Sequence, residues 1–193
     1  RKMIYAIIMV IMVMMISVII LFHKQNKASF LGDYGFRESH GDSDKVNCEL
    51  SKITILHKSE GEKDGVKAFS CQRIGSLPGG QIPAFLLISC IKEEVFPLVF
   101  FSVEHERVYG TRIKEKLHKS DNLNGFYSNR DVISNDMIKS ILEVTERHPE
   151  VSIEIAGDKV IVLSDKGMMR SLRDCFDDAL CAMQEAKEYF VRM

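Results

Sequence analysis

The sequence contains no tryptophan, only four prolines, and five cysteines that form no Cys-x-x-Cys pair. An odd number of cysteines without paired spacing argues against a disulfide framework. No zinc-type ligand spacing is present either. We therefore predict neither a metal nor another cofactor.

A concentrated excess of basic residues is also missing. The whole chain has a net charge of −1, and residues 1–27 hold four basic residues and no acidic ones. The rest of the chain therefore has 22 basic against 27 acidic residues. Its basic residues are scattered, whereas a nucleic-acid-binding domain usually has one basic face. We predict no nucleic acid among its partners.

One long hydrophobic run stands out near the start of the chain. It extends from Met3 through Ile11 to Phe22 without a charged residue. A helix of this length reaches roughly 30 Å, the thickness of the hydrocarbon core of a bilayer. The run is longer than the core of a secretory signal, and no A-x-A-like cleavage site follows it. We predict a transmembrane anchor, with its flanks, over residues 1–27, and the lipid bilayer as its partner.

Basic residues flank this run on both sides, so the preference of Lys and Arg for the cytoplasmic flank does not orient it. The unpaired cysteines and the absence of an Asn-x-Ser/Thr acceptor favour a cytoplasmic domain. We predict a single-pass protein of a bacterial inner membrane with its soluble domain in the cytoplasm.

Behind the anchor, residues 28–45 have the composition of a linker, and residues 46–193 that of one soluble domain. The linker is polar and glycine-containing, without a sustained period. Four of its residues provide enough apolar surface to fasten it to the domain or to a neighbour: Phe30, Leu31, Tyr34 and Phe36. The domain has the pattern of an α+β fold, with a mainly antiparallel sheet and at least two packed helices.

The first half of the domain shows strand patterns. Alternation predicts a hairpin of residues 46–57 and 66–74 around a charged turn at residues 59–65. Nearly continuous apolar runs predict two strands covered on both faces, residues 84–91 and 95–103.

Two details qualify these strands. Pro97 limits the second apolar strand to an edge, an end or a bulge. Cys90 lies in the first apolar strand and is predicted to be an inert core thiol. Beyond them, residues 107–117 are ambiguous, and the pattern of residues 108–113 allows a further strand.

The last third of the domain alternates between helix and strand patterns. Ser134 is a suitable N-cap for a helix that should stop near His148, because proline follows it. Alternation over residues 151–163 around a Gly-Asp pair predicts a β-hairpin. Residues 167–193 predict a long amphipathic helix.

The order of features in this part resembles a loose class of bacterial membrane-anchored α+β domains of unknown function. The resembling phrases are Phe126-Tyr127-Ser128-Asn129-Arg130-Asp131, the helix that follows it, and the segment from Val151 to Val160. The resemblance covers about seventy of the 193 residues and involves no diagnostic motif. It implies a prokaryotic source and the fold class, and no activity.

Few residues offer chemistry. Glu104 and His105 follow an apolar strand directly, where an acid/base pair is conceivable, although on a strand the two side chains would point to opposite faces. Cys71 with His57 or His105 could form a nucleophile–base pair if the fold brought them together. The glycine-rich residues 75–80 lack the Lys-Ser/Thr of a phosphate loop.

The C-terminal helix has an apolar stripe that either caps the sheet or docks on a partner: Met168, Leu172, Phe176, Met183 and Phe190. The leading functional hypothesis is a non-enzymatic, single-span interaction or assembly subunit that binds another membrane-associated protein or a second copy of itself. The first alternative is a membrane-tethered hydrolase or thiol enzyme that uses Cys71 or Glu104 with one of the two histidines above. The second is a sensor that binds a small ligand.

Overall fold

The computed structural model describes residues 30–39, 45–51, 53–74, 81–113, 117–119, 124–129, 135–166 and 170–192, with the single positions 12, 14 and 17. Within these ranges the chain is α+β with a mainly antiparallel sheet, as predicted. None of the helices described there is long and apolar enough to cross a membrane. Met3, Ile11 and Phe22 of the predicted anchor lie outside the described residues.

The described ranges contain eight strands and four helices. The strands are β1 (Arg37–Ser39), β2 (Lys45–Asn47), β3 (Thr54–Lys63), β4 (Val66–Ile74), β5 (Gln81–Phe100), β6 (His118–Lys119), β7 (Phe126–Ser128) and β8 (Val151–Asp165). The helices are α1 (Phe30–Asp33), α2 (Val103–Ile113), α3 (Asn135–Arg147) and α4 (Leu172–Arg192).

The strands form one antiparallel sheet in the order β1-β3-β4-β5-β7-β6, to which β2 adds beside β3 and β8 beside β5. Leu98 of β5 pairs with both Ser128 of β7 and Ile155 of β8, and Ala84 pairs with both Cys71 of β4 and Asp165 of β8. β8 therefore lies along one side of β5, and β4 and β7 lie along the other.

Helices cover both faces of this sheet. Successive side chains of a strand point to opposite faces, so Leu87 of β5 joins a core cluster with Phe176 and Met183 of α4, whereas Leu86 joins a second cluster with Tyr109 of α2. α3 packs mainly against α4. The continuous apolar run in β5 is explained by burial on both faces.

The β-hairpin predicted over residues 151–163 is wrong. β8 is a single strand that pairs with β5 from Phe100↔Ile153 to Ala84↔Asp165. The prediction followed from local sequence alone, since a Gly-Asp pair between two alternating runs is typical of a turn. Here both runs pair with the same long strand β5, and β5 and β8 together form one two-stranded ribbon.

A bend in the middle of the ribbon replaces the predicted turn. Gly157 lies opposite Val95 and has φ +61°, a conformation that glycine adopts readily, and the register shifts on both sides of Val95. Pro97 lies in one of these irregularities, and a bulge is one of the three places predicted for it. The two strands predicted at residues 84–91 and 95–103 merge into β5.

The hairpin of β3 and β4 is confirmed, but its turn is shorter than residues 59–65. The first predicted strand, residues 46–57, is wrong in its N-terminal part, because residues 45–47 form the separate strand β2, which turns back to pair with β3. β3 continues to Lys63, which pairs with Val66. Asp64 and Gly65 between them have φ values of 51° and 72°, as in the two-residue type I′ turn that Asp-Gly favours.

Residues 108–113, whose pattern allowed a strand, belong to helix α2. Ser102 caps this helix, since its hydroxyl accepts the N–H of His105 at 3.3 Å. Tyr109 and Ile113 both join the core beneath the helix. Their separation of four residues places them on one side of a helix.

The two later helices nearly match their predictions. α3 ends at Arg147, immediately before His148, and the predicted cap Ser134 lies outside the described residues. α4 begins at Leu172, later than residue 167, because Ser171 and Asp174 form a capping box: each accepts the backbone N–H of the other, at 3.1 and 3.2 Å.

The segment predicted as a linker belongs in part to the domain. Leu31 and Phe36 are buried in the core on the α4 side of the sheet. The rings of Phe30, Tyr34 and Phe36 all lie within 6 Å of the Phe176 ring. The packed domain therefore begins before residue 46.

Candidate functional site

Polar side chains converge inside the domain where the first turn of α2 meets the sheet. Arg73 comes from β4, His105 from α2, and Ser152 and Asp165 from opposite ends of β8, and hydrogen bonds connect all four. All four residues are buried. We refer to them as the buried polar cluster.

The bend of the β5–β8 ribbon makes this cluster. A straight strand from Ser152 to Asp165 would be roughly 40 Å long. Instead, one imidazole ring bridges them: His105 Nδ1 lies 2.6 Å from Ser152 Oγ, and His105 Nε2 lies 2.9 Å from Asp165 Oδ2. Residues far apart along one strand therefore face the same histidine.

The chemistry of the carboxylate sets the direction of these hydrogen bonds. An ionised Asp165 only accepts, so His105 Nε2–H is the donor to it. In the neutral imidazole Nδ1 then accepts, and the Ser152 hydroxyl donates to it. The backbone N–H of Ser102 donates to the same Ser152 oxygen at 2.8 Å.

Arg73 holds the other side of Asp165. Its Nε donates to Asp165 Oδ2 at 2.5 Å, its Nη2 contacts the same oxygen, and its Nη1 donates to the Tyr109 hydroxyl at 3.2 Å. Burial disfavours the charged guanidinium, but Asp165 and Tyr109 outweigh this effect and raise the pKa of Arg73. Burial alone would raise the pKa of Asp165, yet hydrogen bonds and charge from His105 and Arg73 lower it.

The chain Ser152–His105–Asp165 has the hydrogen-bond direction of a catalytic triad, but the ring nitrogens are exchanged: Nδ1 faces the serine and Nε2 the aspartate. Two features set it apart from a working nucleophile. Ser152 is only 6% exposed, so a substrate carbonyl has no direct approach to its oxygen. Asp165 is shared with the buried guanidinium of Arg73. As it stands, the cluster joins α2, β4 and β8 from within.

A second buried carboxylate holds the turn between β2 and β3. Glu154 of β8 accepts the N–H of Leu50 at 2.5 Å, and the N–H and hydroxyl of Ser51 at 3.1 and 2.8 Å. Burial raises the pKa of Glu154, and these hydrogen bonds offset only part of the rise. Burial and the nearby Glu154 charge also raise the pKa of the Cys48 thiol, so this cysteine is a poor nucleophile.

The backbone positions of Cys71 and His57, the predicted thiol pair, are adjacent, but the Cys71 sulfur is buried. Cys71 and His57 are direct partners in the β3–β4 register, although the side chain of His57 lies outside the described residues. Cys71 is 2% exposed, and its thiol donates to the carbonyl of Ala84 at 3.1 Å. His105, the other predicted base, binds Ser152 and Asp165 instead.

The predicted pair of Glu104 and His105 is separated for a different reason than expected. Both residues lie in the first turn of α2, so the argument from a strand is wrong. His105 points into the domain, whereas the side chain of Glu104 is 46% exposed and lies 3.8 Å from Arg73 Nη2. In a helix, adjacent residues are about 100° apart around the axis.

Sequence reasoning missed three members of the buried polar cluster. Ser152 is only a polar residue of the alternating run at residues 151–163, and no sequence pattern singles out Arg73 or Asp165. One signal was available: Arg73 has the same parity in β4 as Phe69 and Cys71, both of which are buried. An arginine on a buried face requires a charged partner.

A recess of about 500 Å³ opens on the opposite side of the sheet, between α4 and the β3–β4 turn. Its apolar lining consists of Phe36, Val66 and Leu180, and its polar lining includes Lys63 and Lys187. Its size lies within the usual range of small-molecule sites.

The apolar stripe of α4 lies mostly against the sheet. Phe176 and Met183 are fully buried, so in this fold they are not available to a partner. Leu172 is 40% exposed at the start of the helix. Met168 and the side chain of Phe190 lie outside the described residues. The cysteines differ from expectation in one case, because Cys90 is exposed rather than in the core.

Comparison with known proteins gives no relative: no family model, curated protein or solved structure matches this chain.

Proposed function

We propose that this chain is a non-enzymatic, membrane-anchored interaction subunit. Its apolar run spans a bacterial inner membrane, and its α+β domain on the cytoplasmic side binds another membrane-associated protein or a second copy of the chain. Its chemistry is binding, since its densest polar constellation is enclosed and internally hydrogen-bonded.

One observation supports the anchor most directly. Met12 and Met14 within the apolar run are helical, and they are 58% and 64% exposed. Two positions apart on a helix means about 200° around its axis. Apolar side chains are therefore exposed on nearly opposite sides of this helix. A protein core would cover only one side of it, whereas lipid surrounds a helix on all sides.

The experiment expresses the full chain in bacteria and extracts the membranes with carbonate. The protein should stay in the pellet, whereas the double variant Met12→Arg/Met14→Arg should move to the supernatant, because each central arginine opposes insertion by about 2.5–3.5 kcal/mol. Met12→Leu/Met14→Leu is the matched control and should stay in the pellet. Recovery of the unmodified chain in the supernatant would refute the anchor.

The interaction is tested with a photo-crosslinking residue at Leu172, the exposed member of the α4 stripe. In intact membranes, irradiation should give one discrete adduct, at the mass of a dimer or of one partner. A crosslinker at exposed Asp158, at the bend of the sheet, provides the comparison. Equal, diffuse labelling at both positions, or a monomer only, would contradict the proposal.

A second candidate, a membrane-tethered hydrolase, is favoured by the hydrogen-bond direction of Ser152, His105 and Asp165. The reaction would require α2 to move so that a substrate reaches Ser152 Oγ. Its oxygen would then bond to the acyl carbon, His105 would take the hydroxyl proton, and the leaving group would depart with a proton from His105.

A fluorophosphonate probe tests this candidate. Attack by Ser152 would form an oxygen–phosphorus bond and release fluoride, so the chain should become labelled, and Ser152→Ala should abolish the label. Ser164→Ala, in another buried serine, is the control and should retain it. Failure of the full chain in membranes to react would rule out the hydrolase and leave the interaction proposal intact.

A further inference from the structure

The recess beside α4 combines an apolar floor with two lysines. The Lys63 ammonium donates to the backbone carbonyl of Tyr34 at 2.8 Å, and the Lys187 ammonium donates to the carbonyl of Asp64 at 3.3 Å. Both hydrogen bonds are to uncharged acceptors. Neither lysine forms a salt bridge with a carboxylate among the described residues.

The backbone places these ammonium groups. Lys63 crosses directly over Gly35, where a Cβ would lie 3.3 Å from its Nζ, and the φ of +77° at Gly35 is one that glycine favours. Lys187 reaches the turn at Asp64, and the Ser89 hydroxyl holds the neighbouring Gly65 carbonyl at 3.0 Å. The walls of the recess are thus fixed by hydrogen bonds at two points.

We propose that this recess binds a free amphipathic monoanion, such as a medium-chain carboxylate. Its head would accept hydrogen bonds from Lys63 and Lys187, and its apolar body would cover Phe36, Val66 and Leu180. A carboxylate adds an attraction between opposite charges that the bonds of these lysines to neutral carbonyls lack. The inference does not depend on the anchor.

The remaining lining restricts the class of ligand. Asp64 and Glu188 also line the recess, and both are exposed at its rim. Their negative charge repels a polyanion such as a nucleotide more strongly than a single carboxylate. The recess therefore selects one compact negative head joined to an apolar body.

Binding of decanoate is measured on the full chain, in detergent-free nanodiscs or, if the chain proves soluble, in buffer, by following the methyl NMR signal of Leu180. We expect saturable shifts of this signal with decanoate and at least about tenfold weaker shifts with decanol, which has the same chain but no charge. Lys63→Gln and Lys187→Gln should each weaken decanoate binding by about five- to tenfold.

Lys67→Gln is the matched control. Lys67 is exposed on the neighbouring strand β4 but does not line the recess, and its replacement should leave decanoate affinity unchanged. An unchanged thermal midpoint in the three single variants and in the double variant shows that they are folded. Equal binding of decanol and decanoate, or full affinity in the Lys63→Gln/Lys187→Gln double variant, would overturn the proposal. Empty nanodiscs show how much decanoate and decanol partition into the lipid alone.

Discussion

Arg73 and Asp165 lie 92 residues apart in the chain and form a buried ion pair, with Nε and Oδ2 separated by 2.5 Å. The pair connects β4 to the last residue of β8 across β5. His105 adds a second hydrogen bond to the same carboxylate oxygen. Because both charges are out of water, removing either one leaves the other uncompensated.

Asp165→Asn should therefore destabilise the domain strongly. We expect a loss of about 3–5 kcal/mol in the free energy of unfolding, since the buried Arg73 charge loses its counterion. Urea unfolding of the chain, followed by circular dichroism, measures this change. Glu49→Gln removes the exposed ion pair with Lys159 and should have little effect. Comparable losses in both variants would contradict the assigned role of the pair.

Gly110→Ala should destabilise the domain although alanine is the better helix former. A Cβ at this position of α2 would lie 2.8 Å from the Tyr127 hydroxyl, which donates to Glu106 at 3.0 Å. We expect a cost of about 1–3 kcal/mol from overpacking. Burial of Tyr127, together with its hydrogen bond to Glu106 and the charge of that carboxylate, raises the pKa of Tyr127 to about 12.

A double-mutant cycle tests the cause of that cost. In a Tyr127→Phe background the nearest ring carbon would be 3.7 Å from the new Cβ, and the closest remaining atom would be Glu106 Cγ at 3.3 Å, on a side chain that no longer has its hydrogen bond to Tyr127. Gly110→Ala should then cost clearly less, because the hydroxyl contact is gone and alanine has the better helix propensity by up to about 1 kcal/mol. Additive effects in denaturant unfolding would show that the hydroxyl is not the obstacle.

Glu154 should make the domain less stable as the pH rises. Its pKa in the folded state is above the ordinary value of about 4.3. The folded state therefore binds the proton more tightly than the unfolded state. This contribution is fully present below about pH 4.3 and is lost as the pH rises through the folded pKa.

The contribution of Asp165 to stability should change with pH in the opposite direction. Its lowered pKa gives stability that is present above the ordinary value of about 3.9 and is lost as the pH falls below it. Between pH 4.5 and 8, urea unfolding should show that Glu154→Gln removes a decline of stability with pH that the unmodified chain retains. Parallel curves for the two proteins would exclude this contribution of Glu154.

Native thiol reactivity should divide the cysteines into two groups. Cys90 and Cys181 are exposed, whereas Cys48, Cys71 and Cys175 are buried. A thiol reagent should modify Cys90 and Cys181 in the folded chain and all five cysteines in denaturant, because the thiolate must be accessible to react. Cys181 should react more slowly than Cys90, since burial and the nearby carboxylates of Glu185 and Asp178 raise its pKa. Mass spectrometry identifies the modified sites. Rapid labelling of Cys71 in the folded chain would instead revive the thiol-enzyme alternative.

The sequence determined the local features whose causes are local. The alternation of apolar and polar residues predicted the β3–β4 hairpin and the sheet, and proline after His148 predicted the end of α3. The paired φ values at Asp64 and Gly65 follow from an Asp-Gly turn, which needs no tertiary context. Such signals act within a few residues of one another.

Only the tertiary structure decided whether Gly157 was a turn or a bend. The same glycine can end a strand or kink it, and the partner strand β5, some sixty residues earlier, selects the kink. That choice brings Ser152 and Asp165 to one histidine. The sequence specifies which side chains are present, but the distances between them, which decide whether they form a site, depend on long-range strand pairing.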